Sequence, residues 1–291
     1  MIAQINLTPT ESKKLMAKAI ACMEIVKRAA QDGMIVIHPS SSTYFLTEEL
    51  TGENPKYDNW VCGSITPKGL CVEMGIMSGA PPREENKALD PGGFPFSVVV
   101  KGGKVSTGQP LAAILNQMGP QDVYVKGVNA IDMDRNVGVL IGHHSGGGTI
   151  GKVLAAQRKN SFNIIYVAGL EKLIPTPMDE AMKALRRPSI EYAMGMVVGM
   201  VPVKGGTVIS EPDAFKILAG CAAIPVAGGG IGGAEGSVTL ILEGSDKVVR
   251  TAIDFAEQCK GARLPQFRGR SCTACPNADC QFPVGKKPWA P

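Results

Sequence analysis

The chain reads as an α/β protein built around a parallel sheet, and three observations carry that reading. Short apolar runs recur at strand length: Met34 to Ile37, Val123 to Val125, Val137 to Ile141 and Asn163 to Val167. Runs without polar alternation are the texture of strands buried on both faces of a parallel sheet. Two of these runs are followed at once by small or hydroxylated turn residues and then by residues at helical spacing, as after Ile37 and after Ile141. Glycine supplies 35 of 291 residues, well above the usual ~7%, and the excess belongs in turns beside strands, where α/β proteins bind ligands.

Element by element, residues 9 to 31 are expected to be helical, with Thr10 as N-cap and Leu15, Ala19, Met23 and Val26 on one face. Asp32-Gly33 ends that helix and the first buried strand follows. After His38-Pro39 comes the hydroxyl run Ser40-Ser41-Ser42-Thr43, then a helix over Tyr44 to Leu50 closed by Gly52. Asn54 to Pro95, rich in Gly and Pro, reads as irregular structure with short strands. Phe96 to Thr107 forms a hairpin about Gly102-Gly103, and Pro110 to Met118 a short helix. A helix from about Thr149 to Arg158 follows the Gly142 to Gly148 turn. Beyond Pro175-Thr176-Pro177 the texture changes, with strands over 197–203, 206–210 and 237–243 and helices over 212–219 and 246–260. The expected organisation is therefore an α/β ligand-binding domain over 1–188, a smaller α+β unit over 189–262 and a Cys- and Pro-rich tail over 263–291.

Bulk composition excludes several functions. Hydrophobic residues at 44% and charged residues at 19% are ordinary for a globular chain, and a net charge of +4 is too weak and dispersed for a nucleic-acid surface. No apolar run approaches the ~18 residues that suggest a membrane span, and Met1 to Lys14 lacks the pattern of a secretory signal, so a cytoplasmic protein is expected. A homo-oligomer is the common default for such folds.

Chemistry is expected in the turns. Backbone N–H groups at a helix start attract phosphate or carboxylate, and hydroxyls there add donors. Ser40, Ser41, Ser42 and Thr43 follow a buried strand directly and open a helix, so they are candidate anion ligands; the plainer reading is an elaborate N-cap. His143 and His144, two of three histidines, sit in the glycine turn with Gly146, Gly147 and Gly148, and a loop imidazole suits proton transfer or anion binding. His38 ends the first strand and would lie across the same cleft. Gly146 to Lys152 has the spacing of a phosphate-binding P-loop, but Val153 stands where a magnesium-binding Ser or Thr is needed; Lys152 remains a candidate anion contact.

Residues 33 to 51 resemble the first strand and phosphate loop of the superfamily of ribose-5-phosphate isomerase A, glucosamine-6-phosphate deaminase and the CoA-transferases, with Pro39-Ser40-Ser41-Ser42-Thr43 in place of the isomerases' Gly-Thr-Gly-Ser-Thr. Val123 to Asp132, Gly142 to Gly148, and Asn163 to Val167 with Glu171-Lys172-Leu173-Ile174 follow the isomerase order of strand, acidic loop, glycine loop, helix and strand; Asn163 to Pro177 is also similar to the lactate-utilisation relatives. The resemblance implies a Rossmann-like three-layer parallel sheet and a phosphorylated metabolite or CoA ester as ligand. It does not carry the isomerase residues: Lys126 and Asn129 stand where two acids belong, His143 near the Lys and Gly151 near the Glu, which leaves Asp132 or Asp134 for acid/base work. CoA-transferase relatives use a Glu among small residues to form a thioester, and Glu235 in Gly228 to Gly236 has those surroundings.

Cys272-x-x-Cys275 and Cys280 place three thiols close together, suited to zinc, an iron–sulfur cluster or thiol redox chemistry if a further ligand is supplied. Two functions follow as expectations. One is an enzyme binding, and isomerising or acyl-transferring, a small phosphorylated metabolite or CoA ester. The other is a non-catalytic sensor or assembly protein that keeps the anion site and adds a metal- or redox-responsive tail.

Overall fold

A computed structural model describes residues 1–53, 59–66, 69–76, 97–142, 147–186, 190–266, 272 and 280. In chain order the elements are β1 (Ile2–Leu7), α1 (Pro9–Cys22), α2 (Glu24–Asp32), β2 (Ile35–Ile37), α3 (Leu46–Thr51), β3 (Asn59–Thr66), β4 (Gly69–Ile76), β5 (Val98–Lys101), β6 (Lys104–Ser106), α4 (Leu111–Gln117) and β7 (Val123–Gly127). There follow β8 (Ala130–Ile131), β9 (Val137–Ile141), α5 (Gly148–Asn160), β10 (Asn163–Val167), a 3-10 turn (Leu170–Lys172), α6 (Met178–Leu185), β11 (Gly199–Val203), β12 (Thr207–Ile209), α7 (Glu211–Ala219), β13 (Ala222–Gly229), β14 (Ser237–Glu243) and α8 (Asp246–Cys259).

The central sheet has six strands in the order β12-β10-β7-β2-β5-β6. β12, β10, β7 and β2 run parallel, with Val36 beside Tyr124 and Val125 beside Ile165, while β5 and β6 close one side antiparallel. Successive side chains on a strand point to opposite faces, and here the two faces feed two different cores. Ile35, Ile37, Val123, Val125, Ile165 and Val167 pack into one with α1, α3, α7 and α8; Val36, Tyr124, Ile164 and Tyr166 pack into the other with α4 and α5. Each fully buried aliphatic side chain contributes about 1.5–3 kcal/mol, so both layers of helices are held to the sheet by its strands rather than by each other.

A three-stranded antiparallel sheet, β1-β14-β13, adds a fourth layer outside α7 and α8, with Ile5 beside Leu240. β11-β9-β8 form a second small antiparallel sheet, and β3 and β4 a hairpin. The apolar run Val137 to Ile141 therefore forms a strand, as expected, but not one of the parallel set. The break drawn near residue 188 does not separate two cores: β12 completes the central sheet, β1 pairs with β14, and Leu7, Phe215 and Leu242 share one cluster with Ile35.

Local signals account for most element ends. Thr8, not Thr10, caps α1: its hydroxyl accepts from Glu11 N, its own N–H donates to Glu11 Oε2 at 2.9 Å, and Pro9 opens the helix. Glu11 also accepts from Lys260 Nζ at 2.7 Å and Gly261 N at 3.0 Å, which ties the end of α8 to the start of α1. The single helix expected over 9–31 is split by Met23, whose backbone is extended; no Gly or Pro marks that bend in the sequence. Gly52 closes α3 in the left-handed conformation that favours glycine. Among the described residues no helix is long and apolar enough to cross a membrane.

Tyr166 is fully buried and its hydroxyl has no partner among the described residues. An unpaired buried hydroxyl costs about 1–3 kcal/mol. Tyr166→Phe is expected to leave stability unchanged or raise it by about 1 kcal/mol in denaturant unfolding; a loss of similar size would mean that the hydroxyl has a partner.

Candidate functional site

At the carboxyl ends of the parallel strands, chain from four places converges. The turn after β2 carries Ser40 to Thr43, β7 ends at Gly127, the turn after β10 carries Glu171 and Lys172, and β12 is followed by Ser210 and Glu211. Strand carboxyl ends are where parallel α/β sheets bind ligands. Lys172 Nζ donates to Ser42 Oγ at 2.5 Å, bridging the end of the intervening strand. Gly127 makes this possible: a Cβ there would lie 2.8 Å from Ser40 Oγ and 3.1 Å from Ser42 Oγ. Gly169 serves the same purpose one strand over, since any side chain on it would collide with the Glu171 carboxylate.

Around Lys172 lies a cluster of charged side chains, of which Lys13 and Glu211 are buried and Glu171 and Lys172 half-buried. Lys13 from α1 pairs with Glu171 Oε1 at 3.1 Å. Glu211, 1% exposed, accepts from Leu170 N at 3.0 Å and 3.2 Å through its two oxygens. Burial pushes the Lys172 amine down to about 8, with Glu171 opposing, Lys13 reinforcing and Glu211 opposing. Burial and the neighbouring Glu171 carboxylate push Glu211 up to about 7, against hydrogen bonds that favour its anion. A cation that yields its proton near neutrality and an acid that keeps one there are a combination typical of reactive sites.

The hydroxyl turn differs from the expected helix cap. Phe45, not a Ser or Thr, is the N-cap of α3, and the helix is only six residues long, so its dipole offers little. Thr43 Oγ1 donates to His38 O at 2.6 Å and lies 3.0 Å from Ser40 Oγ, so these two hydroxyls brace the turn itself. Ser41 is half-buried, and Ser42 is the hydroxyl that reaches another element. His38 does not share this site. Alternation along β2 sends it to the α4 and α5 face, where its Nδ1 lies 3.1 Å from Tyr124 Oη. Burial and the nearby Lys126 hold its pKa well below the usual value, so it is neutral near pH 7.

The start of α5 also belongs to that opposite face, since Ile150 and Val153 pack with Tyr124 and Tyr166. Gly147 caps α5 with a left-handed backbone, Gly148 begins it, and Lys152 is exposed in its first turns. His143, His144 and Gly146 lie outside the described residues. Ser42 and the α5 start thus flank the sheet on different faces, rather than both lining the Ser42 side.

Asp132, expected as an acid/base group, is the knot of a turn. Its Oδ1 accepts from Asp134 N at 3.0 Å and Asn136 N at 2.8 Å, and its Oδ2 from Asn136 Nδ2 at 3.0 Å and Met178 N at 2.9 Å. Burial works to raise its pKa, but the bonds from Asn136, Met178 and Asp134 outweigh it and hold the carboxyl below its ordinary value. Asn129, just before β8, likewise accepts from Leu140 N at 2.9 Å and ties that end of the hairpin to β9. Glu235 is exposed, its Oε2 accepting from Gly233 N at 3.0 Å within its own loop. The adjoining Gly236 does border the site: a Cβ there would lie 3.2 Å from Pro9 Cγ and 3.7 Å from Glu171 Cβ.

Cys272 and Cys280 are half-buried, and Cys275 lies outside the described residues. No group of three or more potential metal-binding side chains is gathered among the described residues. Burial raises the thiols of Cys221 and, to about 11, of Cys259, which makes both poor nucleophiles at neutral pH.

Lys13, Glu171, Lys172 and Glu211 are the residues that sequence reading passes over as site candidates. One signal was present: Glu171-Lys172 occupies the turn after its strand as Ser40 to Thr43 does after β2. Lys13, on a helix face otherwise reading as core, has no such signal. No family model matches the chain, and comparison with curated proteins and with solved structures yields no match.

Two expectations follow. A carboxylate with a depressed pKa stabilises the fold above its unfolded value, and that contribution is lost as acid titrates it. Asp132→Asn should therefore cost about 1–3 kcal/mol at pH 7 and less below about pH 4, measured by urea unfolding. Glu211 has the opposite sign: its raised pKa makes the fold lose stability as pH rises from 4.5 to about 7, by up to about 3 kcal/mol. Glu211→Gln should flatten that slope, and an unchanged slope would place the titration elsewhere.

Proposed function

We propose that the protein binds a small phosphorylated metabolite, either a sugar phosphate or the phosphate of a CoA ester, at the carboxyl ends of β2, β7 and β10. The carrying observation is the Lys172 ammonium held at 2.5 Å from Ser42 Oγ above Gly127. An anion that takes up Ser42 and Lys172 gains a hydroxyl donor and a charge-assisted bond at once. Both donors sit on rigid strand ends, which lowers the ordering cost of binding.

The same placement supports kinship with the ribose-5-phosphate isomerase, glucosamine-6-phosphate deaminase and CoA-transferase scheme, in which the turn after the first sheet strand cradles phosphate. The proposal departs from that scheme in its charged groups. Lys172 and Glu211 supply the charged groups here from turns other than those that carry the isomerase acids and Lys, and Asp132 is occupied with its own turn.

Thermal denaturation with inorganic phosphate, ribose 5-phosphate, glucosamine 6-phosphate, CoA and acetyl-CoA tests the reading. A true ligand at a hundred times its Kd adds about 2.7 kcal/mol. The expected outcome is stabilisation by phosphate-bearing compounds that is lost in Lys172→Met and reduced in Ser42→Ala. Stabilisation that survives Lys172→Met would move the ligand away from this site. A ligand that stabilises wild type and is released unchanged in turnover assays would make the protein a sensor of that metabolite.

A further inference from the structure

Lys172 has more than a binding cation needs. A lysine that only holds phosphate works best fully charged and hydrated at a surface, whereas this amine is set among packed elements beside a second ammonium. Lys13 reaches the same cluster from α1 and is itself paired with Glu171 at 3.1 Å. Ser42 Oγ lies at 2.5 Å, placed to accept a proton from the amine and pass its own onward. Glu211, at the start of α7, brings a buried carboxyl into the same cluster. Desolvation and a neighbouring cation are the two ways in which a lysine is made nucleophilic.

We propose that Lys172 is a carbonyl-capturing lysine: across Gly127 from Ser42 and within the Lys13–Glu171–Glu211 cluster, its amine forms a Schiff base with a small phosphorylated aldehyde or ketone. The inference rests on the phosphate-binding reading above and adds the reactive group. The Nζ lone pair attacks the carbonyl carbon, a C–N bond forms, and the C=O pair moves to oxygen. That oxygen is protonated through Ser42, which takes a proton from Nζ in return. The carbinolamine hydroxyl then leaves as water with the proton that Glu211 carries, and the C=N bond forms; no electrons are gained or lost. With its pKa near 8, roughly a tenth of the amine is free at pH 7, against roughly one in several thousand for an ordinary lysine.

Borohydride trapping tests this on the full-length chain. Pyridoxal 5′-phosphate, used as a phosphate-bearing aldehyde probe at equimolar concentration, is incubated with the protein, reduced with sodium borohydride, and the labelled lysines are mapped by tandem mass spectrometry. Lys172 is expected to be labelled at least tenfold more than exposed Lys101 or Lys104, and inorganic phosphate to slow the labelling. Label confined to exposed lysines would overturn the inference. If phosphate stabilises the chain while Lys172 stays unlabelled, the imine falls and the phosphate reading stands; if neither occurs, both fall. Lys172→Arg keeps the charge, so it should retain phosphate stabilisation and lose the dominant label.

Discussion

The strands β2, β7 and β10 have no solvent face, and the layout of the molecule follows from that constraint. Ile35, Val123 and Ile165 must be covered on one side while Val36, Tyr124 and Ile164 are covered on the other. Two layers of helices are therefore obligatory, and they carry the chain back from the carboxyl end of one parallel strand to the amino end of the next. The candidate site falls at the carboxyl ends of these strands. The last residues of these strands, Ile37, Gly127 and Val167, give way within two to five positions to Ser42, Asn129 and Lys172.

Charge at those ends is not surface decoration. Taking Lys13, Glu171, Lys172 and Glu211 out of water costs several kcal/mol per ion before pairing returns any of it, and the Lys13–Glu171 pair leaves Lys172 and Glu211 to share the strain. Burial lowers the Lys172 amine and raises the Glu211 carboxyl. Lys172 lies against the Ser42 hydroxyl, Glu211 against the Leu170 amide, and Gly236 borders Glu171.

Glycine has two distinct uses here. At Gly52 and Gly147 it supplies left-handed backbone that ends or begins a helix. At Gly127 and Gly169 it supplies absence, removing a Cβ that would displace Ser40, Ser42 or the Glu171 carboxylate. The first use is common punctuation. The second is what lets side chains from separate turns meet over a strand end.

The strands of the central sheet and several helices were legible from residues alone because burial on two faces, helical spacing and turn chemistry are local properties. The α/β class, the apolar runs at 34–37, 123–125 and 163–167, and the helices ending at Gly52 and beginning near 148 and 246 are of this kind. Partners across distance were not legible. Nothing near Lys13 announces Glu171, nothing near Asp132 announces the Met178 amide, and the alternation that turns His38 away from Ser42 matters only once the sheet exists. Residues 2 to 7 and 207 to 209 likewise gain their places by pairing with strands far along the chain. Sequence by itself determined which segments must be buried; tertiary structure decided which charges met at their ends, because the energy of a contact depends on separation in space and not along the chain.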